Sequence, residues 1–252
     1  MKEKYIAYLS YMDICRVLCE HTGSRILSND LGYRTYIPPM TCFYARSFIT
    51  EETFDLESIA KDLANRIANE GYPKLLSFFA GDAPENYEEI LTSAGFVPGF
   101  KQAAMYGHLD QLRPFPDPPK GEARLITAEE LEEWKAAMTI GFGKGDSPAP
   151  GLYEALFEIP NLKIYGWFAD GKIVGTMMAV ENGDITGLHE GTVLPEYRRQ
   201  GIITALILKG ASDFLPKGIR IASMQASAMG GPVYASLGFT ETGFIETWIC
   251  NK

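Results

Sequence analysis

The sequence predicts a mixed α/β protein with a mixed sheet. Strand-length runs are punctuated by tight-turn dipeptides, one helix is apolar around much of its girth, and a fainter copy of the same order lies upstream. The chain has 252 residues, 46% hydrophobic and 22% charged, the composition of an ordinary soluble globular protein and long enough for two modest domains.

The second half opens on a strand at 123–126. Thr127-x-x-Glu130 then has the form of a capping box, and Leu131, Trp134 and Met138 recur at helical spacing behind it. Runs at 164–168, 173–180 and 185–194 are separated by Asp170-Gly171 and Asn182-Gly183, so three antiparallel strands are expected. A buried helix is expected over 198–214, where Ile202, Ile203, Leu206 and Ile207 crowd more than one face until Pro216 and Gly218 stop it. A strand at 219–224, a short helix at 232–237 ended by Gly238, and a last strand at 244–250 complete the order β, β, β, α, β, α, β.

Upstream, Leu56, Ile59, Leu63 and Ile67 mark a buried helix face, followed by a strand at 75–79, a helix at 84–94 and a strand at 103–109. SAGFVPGF at 93–100 and SLGFTETGF at 236–244 each read as a helix end, a Gly-Phe corner and the entry to a last strand, which points to a duplicated fold. Between the copies, Pro114, Pro116, Pro118 and Pro119 remove amide donors and stiffen the backbone. The chain accordingly divides into residues 1–110, a Pro-rich linker at 111–121, and residues 122–252.

A net charge of −9, with an acidic excess in both halves, disfavours nucleic acid and anionic membrane surfaces and suits an amine-bearing small molecule. No apolar run reaches the roughly 18–20 residues needed to span a bilayer, and Asp13 and Arg16 spoil a signal-peptide core, so the cytoplasm is expected. Cys15, Cys19, Cys42 and Cys250 form no paired C-x-x-C pattern, and only three histidines accompany them, so reduced structural thiols and no metal site are expected. Trp134, Trp167 and Trp248 read as core.

The chemistry concentrates in VLPEYRRQGIITAL, 193–206, where a strand passes through Pro195 into a glycine-containing basic turn and then a helix. A helix start offers unpartnered amides and the positive end of the helix dipole, and Gly201 lets a phosphate approach the backbone. Arg198, Gly201 and Ile203 stand where the GNAT superfamily's coenzyme A loop reads Q/R-x-x-G-x-G/A, and the sequence resembles that family here. Tyr234-Ala-Ser-Leu-Gly238-Phe239 is similar to its Y-x-x-x-G-F signature, 33 residues after Gly201.

The resemblance implies a GNAT-like acyl-CoA N-acyltransferase fold in two tandem copies, with acetyl-CoA as cosubstrate and a small-molecule or peptide amine as acceptor. It implies that Arg198, Arg199, Gln200, Gly201, Ile202, Ile203 and Thr204 hold the diphosphate, and that the amides of Val193 and Leu194 face the acetyl carbonyl. Tyr234 becomes the acid that protonates the leaving thiolate, a role suited to a phenol of pKa about 10. Ile203 departs from the small residue of the pattern and is expected to crowd the diphosphate.

His189 and Glu190 are the candidate bases, of which strand alternation lets only one face the cleft unless a bulge intervenes. Glu190 is favoured, although His189 lies nearer the position where many relatives carry glutamate. The stretch 46–58 has no glycine and no basic cluster before its helix, so the first half is expected to be a silent copy that walls the acceptor cleft. Loop 141–153 is expected to border the same pocket. The readings to be separated are acyl transfer to an amine and non-catalytic binding of acyl-CoA. The acidic charge argues against a tRNA-dependent ligase.

Overall fold

A computed structural model describes residues 2–40, 42–113, 120–143 and 149–251. The first half runs α1 (Ile6–His21), β1 (Arg25–Ser28), β2 (Tyr33–Ile37), β3 (Arg46–Ile49), α2 (Leu56–Glu70), β4 (Leu75–Phe79), α3 (Tyr87–Ala94) and β5 (Phe96–His108). The second runs β6 (Glu122–Leu125), α4 (Leu131–Gly141), α5 (Leu152–Phe157), β7 (Leu162–Ala169), β8 (Lys172–Asn182) and β9 (Ile185–Val193). It continues through α6 (Ile202–Phe214), β10 (Ile221–Ala226), α7 (Gly231–Leu237) and β11 (Thr240–Cys250). The linker prolines and residues 144–148 of the expected pocket loop lie outside the described residues.

These strands join one mixed sheet in the order β1-β2-β3-β4-β11-β5-β10-β9-β8-β7-β6. The halves exchange their last strands: β11 lies antiparallel between β4 and β5, and β5 lies antiparallel between β11 and β10. The repeated Gly-Phe corners launch this exchange, because α3 ends at left-handed Gly95 and α7 at left-handed Gly238, and each turn feeds the strand that crosses over. Residues 103–106 of β5 and 245–249 of β11 are paired on both edges, which satisfies their amides and carbonyls within the sheet.

The sheet is apolar on both faces. Along β8, Met178 and Val180 point into one core while Met177 and Ala179 point into the other. The first of these cores joins α1 of one half (Ile14, Leu18) to α4 and α5 of the other (Trp134, Leu156). Each such buried side chain contributes roughly 1.5–3 kcal/mol. The second core seats α6 through Leu206, Ile207 and Phe214. Around α2 and α3 a third core is closed by Trp248 of β11, a residue of the other half. All three tryptophans are buried.

Helix α1 belongs to the first half by sequence but is tied to strands of the second. Gln225 Nε2 donates to the Ala7 carbonyl at 2.8 Å, and Asn182 Nδ2 donates to Asp13 Oδ2 at 2.6 Å. Cys15 and Cys19 share its buried face, and all four cysteines are free thiols. The capping box expected at Thr127 is present, Glu130 Oε2 accepting from the Thr127 amide at 2.8 Å. No helix among the described residues is long and apolar enough to cross a membrane.

Two sequence expectations are corrected, and three strands are added to them. The helix expected from 198 starts at Ile202, because Arg199 and Gly201 both take left-handed backbone (φ 61 and 81) and cannot be helical. The last strands are longer than periodicity indicates, beginning at Phe96 and Thr240, since their mutual antiparallel ladder extends them through polar and glycine-containing stretches. Strands β1 to β3 are short and carry little alternation, and no sequence signal marks them.

Candidate active site

The site begins with a defect in strand pairing. Thr176 stands opposite Thr192 and Met178 opposite His189, so Glu190 and Gly191 together face Met177 alone. This is a β-bulge, and it turns Glu190 to φ +50, a conformation that costs a non-glycine residue roughly 1–3 kcal/mol. Thr176 Oγ1 supports it by donating to the Glu190 carbonyl at 2.8 Å. On the other edge of β9, parallel pairing with β10 ends at Leu188 and Met224. The two strands part there, and a cavity of about 150 Å³ opens.

Because the bulge breaks alternation, His189 and Glu190 both line this cavity. His189 is only 7% exposed, its Nε2 has no hydrogen-bond partner, and burial holds its pKa down to about 4, so the ring is neutral. Glu190 is half-buried, and its Oε1 accepts from Tyr44 Oη at 2.7 Å. Tyr234 comes from α7. Its hydroxyl lies 3.5 Å from where a Cβ on Gly191 would be, and burial pushes its pKa up to about 12. The apolar wall is Met177, Leu188, Ile203, Ile207 and Met224, and Phe142 of the expected pocket loop stands among the remaining lining.

Beside the cavity, α6 starts without a side-chain cap at Gly201. Its first internal amide bond runs from Ala205 to the Gly201 carbonyl at 2.9 Å, which leaves the amides of Ile202, Ile203 and Thr204 without helical partners. Left-handed Arg199 and Gly201 stand ahead of them, an arrangement of free amides that could hold an anion. The corresponding helix of the first half is closed: the Asp55 carboxylate caps α2, accepting from the Ser58 amide at 3.1 Å, and occupies the place an anion would take.

A profile of the acetyltransferase (GNAT) family matches residues 128–239, the stretch that carries the bulge, these free amides and Tyr234. This region is a GNAT-family domain. Among solved structures, a GCN5-related N-acetyltransferase from Kribbella flavida superposes with a TM-score of 0.71 at 16% identity, covering 98% of this chain and 96% of its own. A functionally unknown conserved protein from Staphylococcus epidermidis gives 0.69 at 12% identity, covering 95% and 99%. A GCN5-related N-acetyltransferase from Sphaerobacter thermophilus gives 0.60 at 13%, covering 95% and 90%. These likenesses establish the GNAT-like fold over nearly the whole chain. No curated protein matches it by sequence.

Within the GNAT domain the expected residues divide. The Leu194 amide is already donated to the Val174 carbonyl at 2.9 Å, so of the two strand amides only that of Val193 is turned away from β8 toward the cleft. The Arg198 guanidinium is bound to two carbonyls, Val193 at 3.1 Å and Gly141 at 2.7 Å, and pins the loop to the end of α4. Arg199 and Gln200 are exposed before α6. Ile203 directs Cδ1 to within 3.3 Å of a Cβ position on Gly191 and lines the cavity.

Six lining residues have no counterpart in the sequence reading: Gln225 of β10 and Ser227 after it, and four others from the first half, Tyr11 of α1, Phe43 and Tyr44 of the loop before β3, and Gln102 of β5. The first half is expected from sequence to wall the cleft, but none of these four is named there. Sequence alone offers no signal for them, since nothing local says that α1 lies on the strands of the other half.

Proposed function

We propose that the chain transfers an acetyl group from acetyl-CoA to a primary amine of a small molecule or peptide by direct attack. The observation that carries this reading is the β9 bulge, which gathers His189, Glu190 and the Tyr234 hydroxyl at one cavity beside an uncapped helix start. The residues present suit the cosubstrate: an anion nest at 202–204, free of a carboxylate cap, beside exposed Arg199.

Bound there, acetyl-CoA supplies an activated acyl group on a thiol leaving group. The Val193 amide faces the position where charge would develop on the acyl oxygen. Glu190, fixed by Tyr44, accepts the amine's proton as the N–C bond forms. Tyr234 Oη gives its proton to sulfur as the C–S bond breaks and regains one from solvent. Neutral His189 contributes a hydrogen bond and not a charge. Much of the rate comes from holding amine and thioester together. Residues 122–252 act as the catalytic copy, 111–121 as linker and 1–110 as a copy without its own nest. The four free thiols suit a reducing cytoplasm.

Tyr234→Phe tests the reading. Turnover on a cognate amine is expected to fall about tenfold or more with acetyl-CoA affinity unchanged; turnover within twofold of the parent removes the acid role. A second reading, acyl-CoA binding without transfer, is favoured by Ile203, which lines the cavity where the pattern has a small residue. Binding by calorimetry without thiol release from any amine would select it.

A further inference from the structure

The first half brings unspent polar atoms to the cavity. Tyr11 is 2% exposed, and its Oη has no hydrogen-bond partner. Gln102 Oε1 is likewise unpartnered, its Nε2 being donated to the Gln225 carbonyl at 3.4 Å. Buried polar atoms without partners are rare, and two on residues that line one cavity point to a ligand that satisfies them.

Behind this wall stands Arg46, fully buried. Its guanidinium lies 4.6 Å from the Tyr11 ring centre and 4.2 Å from that of Phe43. Nε and Nη2 donate to the Phe43 carbonyl and Nη1 donates to Ser77 Oγ at 3.2 Å, and no carboxylate among the described residues pairs with it. A buried cation without a counter-ion is costly. The positive charge beside it sets the Tyr11 hydroxyl to donate a hydrogen bond and not to accept one. Burial keeps that phenol protonated. Glu190 is the only carboxylate among the described lining residues. A polycation would therefore meet one negative charge with a positive one behind it.

We infer that the acceptor is a small amine carrying a carbonyl or carboxylate oxygen a few bonds from its nitrogen, as in a small amino acid or its amide, and that the first half reads this oxygen through Tyr11. The inference rests on the acyl-transfer reading and names its acceptor class.

The experiment uses the full chain with acetyl-CoA and four probes: alanine, alaninamide, isopropylamine and putrescine. Thiol release gives kcat/KM, and calorimetry in the presence of CoA gives affinity independently of turnover. Alanine or alaninamide is expected to exceed isopropylamine by about tenfold or more, the worth of a hydrogen bond strengthened by charge. In Tyr11→Phe that ratio is expected to fall to about one. Gln102 offers a ligand only its acceptor Oε1, so Gln102→Leu, which leaves the Tyr11 packing in place, is expected to lower kcat/KM for alanine and isopropylamine alike and to leave their ratio unchanged.

Preference for putrescine overturns the proposal. So does a Tyr11→Phe variant that slows every amine alike, since Tyr11 then only supports the fold, and so does the binding of none of the probes. Selective binding of alaninamide without thiol release upholds the acceptor class and removes the transfer reading instead.

Discussion

The Tyr44 hydroxyl donates a 2.7 Å hydrogen bond to Glu190 Oε1 across 146 residues of sequence, so the first half of the chain holds a side chain on the bulge of the second. Tyr44 is 2% exposed and Glu190 sits on strained backbone, which leaves the carboxylate little freedom to turn.

Tyr44→Phe removes only this donor. A bond to a charged acceptor contributes roughly 1.5–3 kcal/mol, so kcat is expected to fall about tenfold or more with little change in KM for acetyl-CoA. An unchanged kcat would mean that Tyr44 only packs.

Gly201→Glu places a carboxylate and a strained left-handed backbone at the nest. Calorimetry should show coenzyme A affinity reduced at least about a hundredfold, since the new charge takes the position of the phosphate. Asp55→Ala, which uncaps the equivalent helix of the first half, is expected to create no second binding event, because no basic turn stands before it.

His189 makes stability depend on pH. Its folded pKa, about 4, lies below the unfolded value of about 6.5, so between these limits the unfolded chain binds the extra proton. Stability is therefore full above about 6.5 and declines as pH falls toward 4, by roughly 3 kcal/mol from this group. Urea titrations at pH 7 and pH 4.5 should show a smaller loss for His189→Gln than for the parent. Equal losses would remove His189 as the source.

The exchanged strands predict that neither half folds alone. Residues 120–252 by themselves lose the ladders β4·β11, β5·β11 and β5·β10, which leaves β11 unpaired on both edges and exposes one edge of β10. This fragment is expected to aggregate or to lack near-ultraviolet circular dichroism. Co-expression with residues 1–119 should restore a soluble one-to-one complex, measurable by size exclusion with light scattering. A monomeric, cooperatively folded fragment would show that the exchange is dispensable.

By itself the sequence determined what depends on neighbours along the chain: the hairpins of the second half, the buried helix α6, the Thr127 capping box, the two Gly-Phe corners and the basic turn ending at Gly201. Each rests on local backbone preference or periodicity, and both are written in consecutive residues. Tertiary structure decided the rest. The bulge that admits both His189 and Glu190 arises from pairing with β8. The fate of Arg198 and of the Leu194 amide depends on which carbonyls lie opposite, and Ile203 meets Gly191 only once β9 is set beside α6. The contribution of Tyr11, Tyr44 and Gln102 exists because α1 crosses onto the other half's strands and β5 is exchanged. Contacts between residues more than a hundred positions apart are selected by the global packing of one sheet, and no local preference in the chain encodes them.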